Sequence, residues 1–300
     1  MTIDIMLPFY GDVFLMKTAV RSVIAQLDTD WRLTVVDDSR AEGIEEWIDT
    51  LQEPRIRYFR NPENLGITRN FQRCVDLAEY DRVVIMGCDD VMLPNYLHTV
   101  RAALREYPGV GMVQPGVEVI DSGGNRSTSL VDVTKRKLYT PKFTGRRVMG
   151  GEELANSVLR GNWLYFPSIC WRADAIKAAG FRSGLEVVLD LALVIDLLEA
   201  GEDMVIDETV CFQYRRHAIS ESSLQAFNGR RFTEERNYFL DVADRMDALG
   251  WHHAAKTARS HMSSRLHALT MLPAVLRKGN HVGGRVLGRH VFGPSKRTSD

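Results

Sequence analysis

The chain has 300 residues, of which 45% are hydrophobic and 26% charged, and its formal net charge is −1. That length suits one α/β domain with a full core, or one domain plus an appendage, and the near-neutral balance argues against nucleic acid as a partner. The four cysteines, Cys74, Cys88, Cys170 and Cys211, form no CxxC pair and no zinc spacing with histidine, so they read as free thiols in a reducing cytosol.

The chain runs at once into a strand-like segment, Ile3–Leu7, with no basic, cleavable leader pattern. No window approaches the roughly 18 uninterrupted apolar residues of a membrane span. The expected location is cytoplasmic, at most peripheral to the inner face of a membrane.

Strand and helix patterns then alternate: a helix over Phe14–Leu27, a strand Leu33–Val36, a helix Ile44–Leu51, a strand Ile56–Phe59, a helix Ile67–Ala78 and a strand Val83–Met86. A helix from about Pro94 to Glu106 and a strand Val110–Val113 follow. Repeated units of this kind predict an α/β fold with a mostly parallel central sheet flanked by helices. Ligands of such sheets sit beyond the carboxyl ends of the strands. Four polar clusters fall at those ends: Pro8-Phe9-Tyr10-Gly11, Asp37-Asp38-Ser39, Asn61–Gly66 and Asp89-Asp90.

Residues 121–150 read as a long mobile loop, with Arg126, Lys135, Arg136, Lys137, Arg146 and Arg147 as a solvated face or as phosphate clamps. Glu152–Leu159 reads as a helix, Ser168–Trp171 as a strand, Glu186–Ala200 as a buried helix and Met204–Tyr214 as strand. Trp163 and Tyr165 suit either an acceptor sugar or core packing. Phe232–Leu249 and His253–Leu276 read as helices of a separate C-terminal extension, giving domains 1–225 and 226–300.

Two adjacent acids after a buried strand repel one another unless a cation or donors compensate. Asp89-Asp90 therefore suits a hard divalent cation shared with a diphosphate, Mg²⁺ or Mn²⁺, or simply the first turn of a helix. Asp37-Asp38 suits either a turn or a carboxylate that accepts hydrogen bonds from a nucleoside. Asn61–Asn64, Gly66 and Arg69 suit either a turn or a helix N-terminus facing a nucleotide.

Together these pieces resemble the family 2 glycosyltransferases over about residues 2–223. The matching motifs are Pro8-Phe9-Tyr10, Val36-Asp37-Asp38-Ser39, Asn64-Leu65-Gly66 with Arg69-Asn70, Asp89-Asp90 with Pro94, and Tyr214-Arg215-Arg216-His217 with Ser220. The resemblance implies the GT-A (nucleotide-diphospho-sugar transferase) fold with a C-terminal helical extension. It implies inverting transfer of a hexosyl-type sugar from a nucleotide-sugar donor to a saccharide, lipid-linked or small-molecule acceptor, in polysaccharide, glycolipid or specialised-metabolite glycosylation. Pro8, Tyr10, Asp38, Asn64, Gly66, Arg69 and Asp89 would then serve the donor, and Asp89, Asp90 and His217 the metal.

The chain departs from the pattern twice. Gly87 stands where the metal motif usually begins with Asp, and Val188 stands at the usual position of the catalytic base. Within Glu186–Ala200 the expected base is Asp190, with Glu186 four residues earlier on the same helical face as the fallback; pairing of Asp190 with Arg215 or Arg216 is the alternative. Three rival functions stay open. They are a dinucleotide-dependent oxidoreductase, which would need the GxGxxG that is missing after the first strand, a sugar-phosphate nucleotidyltransferase, and a nucleotide-sugar-binding protein without catalysis.

From Trp251 onward nine Lys/Arg residues face one acid, Asp300. His253–Arg289 mixes Leu266, Leu269, Met271, Leu272 and Leu276 with Arg265, Arg277, Lys278, Arg285 and Arg289. This pattern predicts contact with an anionic membrane or a second subunit, unless the helix packs on the catalytic domain.

Overall fold

The structure, a computed structural model, describes residues 1–127, 138–216, 230–277 and 280–293. Mostly apolar runs make β1 (Ile3–Phe9) and β2 (Trp31–Asp37), both buried along their whole length, as strands covered on both faces must be; the buried Asp4 and Arg32 within them pair at 2.8 Å. Helices α1 (Val13–Ile24), α2 (Ile44–Thr50) and α3 (Ile67–Leu77) alternate with β2, β3 (Ile56–Arg60) and β4 (Arg82–Ile85). Strands β3, β2, β1 and β4 lie side by side and parallel, so their carboxyl ends share one edge.

Beyond β4 the sheet becomes mixed. The chain continues through β5 (Val91–Met92), α4 (Tyr96–Glu106), β6 (Met112–Ile120), β7 (Arg146–Met149), α5 (Gly151–Arg160), β8 (Cys170–Arg172), α6 (Ala173–Ala179), α7 (Leu189–Glu199) and β9 (Met204–Arg215). β8 inserts antiparallel between β4 and β6, while β6 and β9 run parallel. β5 and β7 both pair antiparallel with β9. The sheet order is β3-β2-β1-β4-β8-β6-β9-β5, with β7 also on β9.

β7 takes up part of the segment expected to be a loop. Its Arg146 pairs with Glu106 and Asp207, both at 2.7 Å, and Arg147 pairs with Glu153. Arg126 pairs with Glu118 at 3.1 Å. These three arginines are therefore matched to acids of the chain itself, whereas Lys135, Arg136 and Lys137 lie outside the described residues.

Two apolar clusters fill the two faces of the sheet. One joins α1, α2 and α4 to the sheet; the other joins α3, α5, α6 and α7. Eight residues of the 11-residue α7 are buried, the burial expected of a helix that is apolar nearly all round.

The C-terminal region continues this second layer. Tyr238, Phe239, Val242 and Met246 of α8 (Arg230–Ala248) and Ala254, Ala255 and Ala258 of α9 (His252–Ser260) belong to the same cluster as α7. Arg245 of α8 meets Asp196 at 2.9 Å and Glu199 at 2.8 Å on α7. Helices α10 (Met262–Arg277) and α11 (His281–Phe292) close a smaller cluster on Phe232 with Ala268, Val275 and Leu287.

The single helix expected over His253–Leu276 is two helices. His261, at φ +33 and fully buried, breaks it, and its ring packs on Phe239 and His290. Among the described residues no helix is long and apolar enough to cross a membrane.

Candidate functional site

The parallel strands deliver their polar ends to one place. After β1, Tyr10 is 70% exposed, and Gly11, at φ +136, lets the chain turn sharply. Asp12 then caps α1, accepting from Phe14 N at 2.7 Å and Leu15 N at 3.2 Å. Pro8 is buried within β1, in register with Val36.

The end of β2 builds a rigid polar corner. Asp37 is fully buried and accepts from Ser39 N, from the Tyr58 hydroxyl at 2.6 Å and from the Arg60 guanidinium. Asp38, 3% exposed, accepts from Asn61 Nδ2 at 2.9 Å, Leu65 N at 2.7 Å and Gly66 N at 2.9 Å. Its carboxylate thus occupies the start of α3, where unpaired N–H groups favour an anion. Asn64 Nδ2 closes the same turn on Asp38 O at 2.9 Å. Gly66, at φ +77, supplies a backbone conformation that favours glycine. Arg69 is exposed and its Nε donates to Leu65 O.

The end of β4 carries the two acids. Asp90 is 1% exposed; its Oδ1 accepts from Arg215 N at 2.8 Å, while its buried Oδ2 has no hydrogen-bond partner. Burial, with the neighbouring Asp89 charge adding, holds the Asp90 carboxyl well above the usual carboxylate range. The Arg215 guanidinium donates to the carbonyls of Asp89, Asp121 and Ser122, and its charge offsets part of the burial that acts on Asp90. Between the strand ends, Cys88 Sγ contacts Tyr10 O at 4.0 Å, and burial pushes its thiol up to about 12.

A buried carboxylate oxygen with no donor, beside a second carboxylate, is the electrostatic situation a divalent cation relieves. The residues therefore fit such an ion. Among the described residues no group of three or more His, Cys, Asp or Glu is arranged to hold a metal. Mg²⁺ commonly takes only one or two carboxylates and completes its shell with phosphate oxygens and water. His217, expected to assist, lies outside the described residues.

Asp190 reaches the same neighbourhood from α7. Asn162 Nδ2 donates to its Oδ2 at 3.0 Å, and Leu191 N donates to its Oδ1 at 2.7 Å. Burial, then the Asp90 charge, push the Tyr214 hydroxyl above its ordinary range; the Arg216 charge opposes the shift, and Asp89 and Asp190 add to it more weakly. Tyr214 packs on Tyr165, ring centroids 5.3 Å apart. Trp163, by contrast, is core: it is 3% exposed and its indole N–H donates to Ser157 Oγ.

One expectation is corrected here. The helix begins at Leu189, not Glu186, so Glu186 and Asp190 do not share a helical face. The reason lies elsewhere in the chain: Glu234 Oε1, from α8, accepts the N–H groups of Glu186 at 3.0 Å, Val187 at 2.7 Å and Val188 at 3.0 Å. Glu186 is exposed, and Val188 is 5% exposed. Glu152 of α5 makes the reverse contact, accepting from His253 N and Ala254 N at the start of α9. Neither carboxylate carries a local sequence signal, because each acts on backbone far away in the chain.

Residues 4–170 match the family described as Glycosyl transferase family 2. The chain belongs to glycosyl transferase family 2. Protein MT1568 of Mycobacterium tuberculosis is 26% identical over 261 residues, 83% of this chain and 75% of its own. WcaA of Escherichia coli, named for colanic acid biosynthesis as a glycosyl transferase, is 29% identical over 97 residues, 32% of this chain and 35% of its own. Among solved structures, Staphylococcus aureus TarS 1–349 superposes with a TM-score of 0.58 at 14% identity, covering 97% of this chain and 91% of that one. The mannosyltransferase PcManGT of Pyrobaculum calidifontis, in complex with GDP-Man and Mn²⁺, gives 0.58 at 14% identity, covering 97% and 86%.

The fold is that of the GT-A glycosyltransferases, and the structural likeness extends through the C-terminal helices. In this family 2 glycosyltransferase Gly87 lies close against the Asp90 side chain. A Cβ at Gly87 would stand 2.3 Å from Asp90 Oδ2, closer than packed atoms can approach.

Proposed function

We propose that this glycosyltransferase transfers a sugar, with inversion, from a nucleoside-diphosphate sugar to an acceptor hydroxyl. The observation that carries the reading is the buried Asp90 carboxylate after β4, its Oδ2 without a hydrogen-bond partner and Asp89 adjacent to it, at the carboxyl edge of the parallel strands. TarS with UDP-GlcNAc and PcManGT with GDP-Man supply the donor class by analogy.

In this reading Tyr10 and the corner held by Asp38, Asn64 and Gly66 shape the nucleoside end of the cleft. Pro8 supports it from within β1, and Arg69 faces the phosphates. Asp38 contributes by fixing the turn, since its oxygens already accept three donors within the chain. Asp89 and Asp90 hold Mg²⁺ or Mn²⁺, which when bound neutralises charge on the departing diphosphate.

Asp190 is the proton acceptor. As the acceptor oxygen bonds to the anomeric carbon on the face opposite the diphosphate, its proton passes to an Asp190 oxygen. The bond between the anomeric carbon and the diphosphate oxygen breaks with its electrons leaving on the nucleotide. Asn162 orients Asp190 for this step. The acceptor class, whether saccharide, lipid-linked or small-molecule, is set by what reaches Asp190 past Tyr165 and Tyr214.

Screening UDP-, dTDP- and GDP-sugars with Mn²⁺ by thermal shift, followed by release of nucleoside diphosphate, tests the reading. A stabilising donor that turns over, and stops turning over in excess EDTA, is the expected result. Undiminished turnover in EDTA overturns the metal role. A donor that binds without any turnover supports instead a binding protein that lacks catalysis.

A further inference from the structure

The outer faces of α10 and α11 are not explained by the transferase site. On α10, Met262 is 55% exposed, Leu266 52%, Leu269 44% and Leu276 51%. Their spacing keeps all four on one side of the helix, while Ser264, Ala268 and Val275 are buried on the other. On α11, Val282 is 72% exposed and Phe292 76%. Arg285 and Arg289 are exposed between them at helical spacing. Met271 and Leu272 turn partly inward onto the small C-terminal cluster. Arg265 closes the hairpin by donating to the carbonyls of Val291 and Gly293, so these three residues leave the outer surface to the others.

The charge of this region has one sign. From 248 to 299 the sequence contains nine Lys/Arg and no Asp or Glu. We propose that the exposed face of the α10–α11 hairpin docks on an anionic lipid bilayer, inserting its leucines, Met262, Val282 and Phe292 into the interface while Arg277, Arg285 and Arg289 meet lipid phosphates. Basic helices with one apolar face bind bilayers by combining these two attractions.

A second copy of the chain is the weaker occupant. A two-fold contact sets the same face against itself, and here that brings arginine rows together with no acid from 248 to 299 to offset them. No described helix is built to cross the bilayer, so the contact is a surface one. The inference is independent of the reaction assigned above.

The test is flotation of the full chain with vesicles of phosphatidylglycerol and phosphatidylcholine, against vesicles of phosphatidylcholine alone, at low and high salt. The expected result is co-flotation with the anionic vesicles only, lost at high salt. Two double variants, Leu266→Ser with Leu269→Ser and Arg285→Ser with Arg289→Ser, should each lower vesicle partitioning roughly 10-fold or more. All four positions are exposed, so melting temperatures should stay near the parent's. The proposal is overturned if the parent chain does not float with anionic vesicles, or if neither variant changes its flotation. It is also overturned if light scattering shows a dimer that the leucine variant dissociates and only that dimer floats.

Discussion

Glu234 accepts the backbone N–H of Val188 at 3.0 Å, as it does those of the two residues before it, so a C-terminal helix holds the segment that leads into Asp190. Glu234→Ala leaves three N–H groups without their acceptor. The expected loss of stability is about 1–2 kcal/mol, the range for removing a helix-capping side chain, read as a lowered melting temperature. In the transferase reading, kcat should fall while nucleotide affinity stays near the parent's, because the disturbed segment carries the base and not the donor corner. An unchanged kcat would reduce Glu234 to a structural cap.

Asp190→Asn keeps the shape of the side chain and removes its capacity as a base. The amide can still meet Asn162 through its oxygen, so the fold should survive. The expected fall in kcat is roughly 10²–10⁴-fold, with donor affinity unchanged, because general-base catalysis acts in the transition state. A folded variant that keeps more than about a tenth of parental kcat places the base elsewhere.

Asp90→Ala should weaken binding of a nucleoside diphosphate in Mn²⁺ by roughly 10- to 100-fold, the worth of one charge-assisted contact. Calorimetric titration of UDP or GDP into parent and variant checks this. The same substitution removes a buried, unpartnered carboxylate oxygen, so the melting temperature without nucleotide should not fall in proportion. Equal nucleotide affinity in the two proteins would exclude Asp90 from the donor site.

Acid should loosen the C-terminal helices. Burial lowers His261 from 6.5 to about 4 and His290 from 6.5 to about 3, with the Arg265 and Arg236 guanidiniums reinforcing both. In this window the unfolded chain binds protons that the folded chain refuses. The stability these groups contribute is therefore full above about pH 6.5 and declines as pH falls toward about 4. Circular-dichroism melting across that range should show the decline. His261→Asn should make it shallower, since Asn tolerates the positive φ at this position. An identical slope in parent and variant would exclude His261 as a contributor.

The first four strands were legible because their cause is local. Runs such as Ile3-Asp4-Ile5-Met6-Leu7 bury on both faces wherever a parallel sheet forms, and the polar ends that follow them mark the ligand edge. β5 and β7 were not legible. Val91–Met92 is too short to make a pattern, and Arg146-Arg147-Val148-Met149 becomes a strand only because β9 is there to pair with it.

The site divides in the same way. Asp89 and Asp90 stood out as candidates by adjacency at a strand end, and Asp190 as an acid early in the apolar run that begins at Glu186. The clamp on residues 186–188 comes from a carboxylate some 46 residues away, and no spacing rule reaches that far. By sequence Asp38 belongs to the nucleoside; in the structure its carboxylate also fixes the turn before α3, accepting from Leu65 N and Gly66 N, which adjacency alone does not reveal.

Gly87 and Asp90 occupy overlapping space, since a Cβ on the first would lie 2.3 Å from Oδ2 of the second. A side chain at position 87 therefore requires the Asp90 carboxylate to shift. A mutant library that randomises position 87 alone should be enriched in glycine. An acid placed at position 87 would press on the Asp90 carboxylate and displace it from the bond it accepts from Arg215 N.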